Sequence, residues 1–162
     1  MTFAEAAEAH LEDVLAYLVY MTRDHTLAEE LTADTFERAL RLWRRYDPRK
    51  GSAKTWLTQV ARTTALDHFR AESRRRRRET AYAQTEPSRE DVRFLDGLSP
   101  ELELALRTLT AAEREVIALR VLLELDGPAA ARVLGISPTA LSTRLSRALN
   151  RLEEAMTDAV AA

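Results

Sequence analysis

An all-α fold of two small helical domains joined by a polar linker, the second a helix-turn-helix, is predicted by three observations. Hydrophobic residues make up 46% of the chain but aromatics only 6%, with 4 Gly, and the dominant Ala, Leu, Arg and Glu are good helix formers. Apolar residues recur at steps of three and four rather than two. Helix start and stop chemistry falls between these periodic runs.

The elements follow in order. A first helix is expected from about Phe3 to Met21, with Ala7, Leu11, Val14, Leu15 and Leu18 on one face. Thr26-Leu27-Ala28-Glu29 has the form of a capping box, opening a second helix through Leu31, Phe36, Leu40 and Trp43. Tyr46 to Ser52 breaks it, because Pro48 disfavours helix at Asp47 and Gly51 permits a turn. A third helix begins near Ala53, turns Trp56, Leu57, Val60, Ala61, Leu66 and Phe69 inward, and ends in Arg74 to Arg78. Residues 80–98 have no period and read as a polar linker. Ser99-Pro100 then caps a helix with Leu102, Ala105, Leu106 and Leu109 as its stripe. The expected domains are 1–79 and 99–162.

The C-terminal segment has the spacing of a helix-turn-helix. Thr110-Ala111-Ala112-Glu113 is a capping box, followed by Val116, Ile117 and Leu119 and a break at Gly127-Pro128. A short Ala-rich helix ends at Gly135, and Ser137-Pro138 supplies an N-cap and first turn for a last long helix. Leu141, Leu145, Ala148, Leu149, Leu152 and Met156 make its apolar stripe; Thr139, Ser142, Thr143, Ser146, Arg147 and Asn150 lie opposite. Short hydroxyls and Arg suit DNA backbone and base edges, and they equally suit a plain solvated helix.

Charge is blocked. Residues 1–37 hold one basic and nine acidic residues, 38–79 hold fourteen basic and four acidic, and 80–126 hold five basic and ten acidic. Under a net charge of −2 lies a strongly basic stretch suited to a polyanion. No cysteine is present, which excludes disulfides, thiol catalysis and zinc fingers. No apolar run reaches the ~20 residues needed to span a bilayer, and the N-terminus lacks a signal pattern; a cytoplasmic protein with no membrane partner is expected.

The stretch from Ala28-Glu29-Glu30-Leu31 through Phe36-Glu37-Arg38-Ala39-Leu40, with Tyr46, Gly51, Thr55-Trp56-Leu57, Ala61-Arg62 and Ala65-Leu66-Asp67, resembles the second conserved region of extracytoplasmic-function (ECF) sigma factors of the sigma-70 family. Leu109-Thr110, Glu113-Arg114-Glu115-Val116 and Gly135-Ile136-Ser137-Pro138 resemble their fourth region. The two occur in order and cover nearly the whole chain.

The resemblance implies an alternative sigma factor that binds RNA polymerase core through the β′ clamp helices and β flap, recognises promoter DNA and helps to melt it. It places core-polymerase binding on Glu30, Asp34, Glu37, Arg38 and Arg41, although the acidic-to-basic order along that helix also complements its dipole. Recognition of the −10 element falls to Arg49, Lys50, Ser52, Ala53, Lys54, Arg62, Thr63 and Arg70, with Arg74–Arg78 as further phosphate partners or a plain charge run. Tyr46 or Trp56 could stack a base, but the stripe favours Trp56 in the core. Recognition of the −35 element falls to Ser137, Thr139, Ser142, Thr143, Arg144, Ser146 and Arg147, with Arg147 the main reader and Arg144 nearer the flank. Ala33 stands where the family often has Gln, Thr63 where it commonly has Asn, and Ser142 where it often has a basic residue.

An anti-sigma factor is a further implied partner. The ending Ala159-Val160-Ala161-Ala162 resembles tags recognised by the ClpXP protease, or is a plain Ala-rich helix end. No cofactor, metal or catalytic residue is expected. A helix-turn-helix repressor or activator would need a ligand or dimer motif in 1–79, and none is seen. Enzymatic activity would rest on Asp24-His25 or Asp67-His68, neighbours that point ~100° apart on a helix and lack a third ligand or a nucleophile.

Overall fold

The structure, a computed structural model, describes residues 1–79 and 93–161; the expected linker over 80–92 and the terminal Ala162 lie outside them. Helix α1 spans Phe3–Thr22, α2 His25–Leu42 and α3 Ala53–Glu79, with a 3₁₀ turn at Trp43–Arg45. The second unit contains α4 Pro100–Arg107, α5 Ala111–Ile117, α6 Gly127–Leu134 and α7 Pro138–Ala161. No strand occurs among the described residues.

Local chemistry sets most boundaries. Thr2 and Glu5 form a capping box at α1, Ser99 caps α4, and Thr110 with Glu113 box α5. Ser137 Oγ accepts the Ala140 N–H at the start of α7. Gly135 closes α6 at φ 68°, a left-handed conformation that glycine adopts without strain. Each side-chain cap contributes about 1 kcal/mol.

Two starts differ from expectation. Asp24, not Thr26, caps α2, its carboxylate accepting the Leu27 N–H at 3.1 Å. Thr26 is therefore already inside the first turn, and Glu29 meets His25 instead. Gly127-Pro128 is the first turn of α6 rather than a break, because Asp126 caps it. The break comes just before: α5 continues as a π-helical turn, Ala118–Leu122, and Glu124 takes φ 53°.

In the first unit α1, α2 and α3 pack on one another around Val14, Tyr17, Leu18, Leu31, Leu57 and Val60. Five threonines join this core without leaving hydroxyls unpaired. Thr22, Thr32, Thr35, Thr58 and Thr64 each donate to the carbonyl four residues back at 2.6–2.8 Å, the local bond that lets a short polar side chain be buried. In the second unit α4, α5 and α6 pack on α7 around Leu106, Val116, Leu119, Leu123, Leu141 and Ala148.

Three stripe positions face solvent: Leu11, Leu40 and Leu149 are 48%, 58% and 40% exposed. Leu11 lines an open groove with Thr32 and Phe36 of α2. The largest departure concerns Phe94 in the expected polar linker, which is fully buried. Its ring packs on Tyr20 at 5.4 Å, with Arg23 and Arg114 guanidinium groups over it at 4.4 and 5.4 Å. Both oxygens of the Glu103 carboxylate accept its N–H. Phe94 thus belongs to the contact between the units.

Candidate nucleic-acid interface

Helix α2 presents Glu30, Asp34, Glu37 and Arg41 to solvent. Arg41 reaches back to Glu37 at 3.7 Å along its own helix, an exposed pair of small energetic weight. Arg38 is occupied differently. Its guanidinium donates to Asp67 of α3 at 3.0 Å, tying α2 to α3.

The loop after α2 is organised by aromatic rings. Trp43 stacks on Tyr46 at 4.8 Å, and Trp56 leans on both. Phe3 closes the cluster against Trp43, and the Tyr46 hydroxyl donates to the Gly51 carbonyl at 3.3 Å. Trp56 is partly buried against the core, in keeping with the packing expected of it. Arg49 folds back on Asp47 through its side chain and backbone N–H, and these bonds hold the Asp47 carboxyl below its ordinary range.

The structure places the expected −10 residues unequally. Lys50, Arg49, Thr63 and Arg70 are exposed. Ser52 uses its hydroxyl to cap α3, accepting the Thr55 N–H at 3.1 Å. Ala53 is 4% exposed and offers its side chain to no ligand in this conformation. Lys54 faces Asp13 of α1 at 3.8 Å, and Thr63 donates to the Gln59 carbonyl at 3.0 Å. Arg62 forms an ion pair of 2.6 Å with Glu115 of α5.

On α7 the arrangement is open. Thr139, Ser142, Thr143, Ser146, Arg147 and Asn150 are exposed, as is the cap Ser137, while Arg144 is half-buried at the flank. Leu141 and Ala148 are buried opposite them, so the helix is held by one face and shows the other. Behind it, Glu113 bonds Thr110 and receives Arg151 of α7 at 3.1 Å. Burial works against ionisation of Glu113, but the Thr110 bonds and the Arg151 and Arg114 charges prevail and hold its carboxyl below the ordinary range.

Comparison with known proteins gives this geometry a family. The model of Sigma-70 region 2 matches residues 6–75, and that of Sigma-70, region 4 matches residues 95–152. The ECF RNA polymerase sigma factor SigC of Mycobacterium tuberculosis is 33% identical over 147 residues, covering 90% of this chain and 78% of that protein. The chain belongs to the ECF sigma factors. SigM of Bacillus subtilis, another ECF sigma factor, is 29% identical and covers 94% of each chain. The sigma factor RpoE of Bartonella quintana, solved in complex with the anti-sigma factor NepR, shares the fold with a TM-score of 0.78 at 24% identity, covering 96% of each chain.

As an ECF sigma factor the chain directs transcription initiation as an alternative sigma factor. Members of this family are generally not enzymes. Among the described residues no cluster could hold a metal ion, and no helix is long and apolar enough to cross a membrane.

Sequence reasoning missed the residues that join the two units. Gln59 donates to the Arg132 carbonyl of α6 at 3.2 Å, and the Arg132 guanidinium bonds the Lys50 carbonyl. Tyr20 donates to the Arg114 carbonyl at 3.0 Å. The available signal was an aromatic within a polar stretch, a signal that Phe94 shares with Tyr82.

Proposed function

We propose that this sigma factor docks on RNA polymerase core through the exposed face of α2, with Glu30, Asp34, Glu37 and Arg41 making contacts and Arg38 positioned by Asp67. Polymerase β′ clamp helices are the partner of that face, and the β flap that of the C-terminal unit. The loop 46–54 and α3 hold the −10 element, with Lys50, Arg49, Arg62, Thr63 and Arg70 on the strand and the Tyr46–Trp56 cluster as scaffold. Helix α7 enters the major groove at the −35 element, with Arg147 on a base edge or phosphate and the Thr139, Ser142 and Thr143 hydroxyls on the backbone. The protein acts in the cytoplasm, and an anti-sigma factor, such as the one seated on the Bartonella relative, restrains it.

The observation that carries this reading is the α7 face, six polar positions exposed on a helix whose opposite side is locked into the second unit. Run-off transcription with purified core polymerase on a genomic promoter pool tests it. Core-dependent transcripts sharing two motifs upstream of their starts are expected. Duplex binding without any core-dependent transcript would overturn the reading in favour of a plain DNA-binding regulator.

A further inference from the structure

The turn that leads into α3 fixes one arginine by its backbone and its side chain together. Pro48 supplies the φ that the second position of a turn needs, and the Lys50 N–H donates to the Asp47 carbonyl at 3.0 Å to close residues 47–50. Asp47 Oδ1 accepts the Arg49 N–H at 2.9 Å, a second closure inside the first. The same carboxylate takes the Arg49 side chain edge-on: Nε donates to Oδ1 at 3.1 Å and Nη2 to Oδ2 at 3.2 Å. Tyr46, just before, is held by its stack on Trp43 and by the Gly51 carbonyl, so the turn is anchored on the aromatic cluster.

Exposure divides this pair unevenly. The Asp47 side chain is 24% exposed and that of Arg49 89%. Such a pair adds little to stability; its effect is on geometry. A guanidinium carries five N–H donors in one plane, and Asp47 uses the edge formed by Nε and Nη2. The end of the fork is left toward solvent, one N–H on Nη1 and one on Nη2, parallel to each other. Two parallel donors match two adjacent acceptors. On the major-groove edge only guanine presents such a pair, O6 and N7; adenine and cytosine put an amino group there and thymine a methyl. A phosphate is the poorer fit. The Asp47 carboxyl, held ionised by its bonds from Arg49, offsets the Arg49 charge and repels an anion.

We propose that Arg49 reads a base rather than a phosphate, and that Asp47 is its positioning residue, the two together selecting a guanine in the −10 element. The proposal rests on the sigma-factor reading and names the base class taken by one residue of that site. The O6 and N7 edge of guanine is open whether the base is paired or not, so the contact survives melting. Lys50, exposed and next in the chain, serves the phosphates instead, as a point charge with no fork.

The test is binding of labelled twelve-nucleotide strands to the chain assembled on polymerase core, with core alone subtracted. Oligothymidine with one central base replaced can slide until that base meets the loop. Guanine is expected to bind about five- to tenfold more tightly than adenine, cytosine or 7-deazaguanine, in which a C–H replaces N7. In Arg49→Lys the preference should vanish with overall binding kept, because an ammonium has the charge but not the fork. Asp47→Asn separates the two roles of the carboxylate. Its amide oxygen still accepts the Arg49 N–H, so the turn stays, but its NH2 group cannot accept from the guanidinium. Binding of plain oligothymidine should then hold or rise, as a negative charge leaves, while the guanine preference falls below about twofold. Equal binding of guanine and 7-deazaguanine by the native chain overturns the base reader, and so does a preference that survives Asp47→Asn. A core-bound chain that takes no strand at all overturns the −10 reading and this proposal with it; strand binding without base preference sinks this proposal alone.

Discussion

Helices α3 and α7 each carry five hydroxyl side chains, with seven Arg on α3 and three on α7, yet the structure covers part of the α3 face and leaves that of α7 open. On α3 and the loop before it, Lys54, Arg62 and Arg70 have carboxylate partners, and Gln59 is bound to α6. On α7, Ser142, Ser146, Arg147 and Asn150 point to solvent. Residue type alone therefore does not mark a ready binding surface; what is packed above it decides. One face is covered by neighbouring helices, and the other is open.

The largest test of this contrast is Phe94→Ala. Emptying a fully buried aromatic site costs about 3–5 kcal/mol, and here it cuts the contact shared by both units. Thermal unfolding should fall and split into two transitions; a single transition at the native temperature would show that Phe94 does not couple them. Next in size is the triple substitution of Arg74, Arg75 and Arg78 by Ala on the exposed end of α3. Binding of a mixed-sequence single strand should then show a log–log salt slope shallower by about 2.

Arg147→Ala should lower affinity for a promoter duplex recovered from the run-off pool by about tenfold with unfolding unchanged, while Ser142→Ala should change it by less than about twofold. Equal effects of the two would remove Arg147 as the main reader. The smallest effect is expected at Glu113, whose capping box contributes about 1 kcal/mol. Its folded carboxyl titrates below the ordinary value of 4.5, so its contribution is complete above that value and fades as pH falls through the lowered one. Glu113→Gln should flatten the acid limb of the native stability profile, measured by urea unfolding from pH 6 downward.

What could be read from the sequence was local. Thr110 and Glu113, Ser99, Gly135 and Ser137 each act on backbone groups within three or four residues, and all were legible. The start of α2 failed for an equally local reason, since Asp24 and Thr26 both offer a capping oxygen and only one can sit before the first turn. Leu11, Leu40 and Leu149 fit the helical period yet stay exposed, because burial depends on what the neighbouring helices cover. Gln59, Glu115 and Arg132 were out of reach altogether. Their partners are 53 to 82 residues away or on the opposite unit, and no periodic pattern encodes that distance. Arg62 was legible as a cation but not as an occupied one.

Burial of Phe94 also shortens the tether. Between Glu79, at the end of α3, and Phe94, at the contact of the two units, the sequence counts fourteen residues, a length of chain that reaches at most ~50 Å. Over that span each unit meets the other at an effective concentration in the millimolar range. Contacts far too weak to join separate molecules can then keep the units together, and a partner parts them only as far as it binds the separated units more tightly than the joined ones.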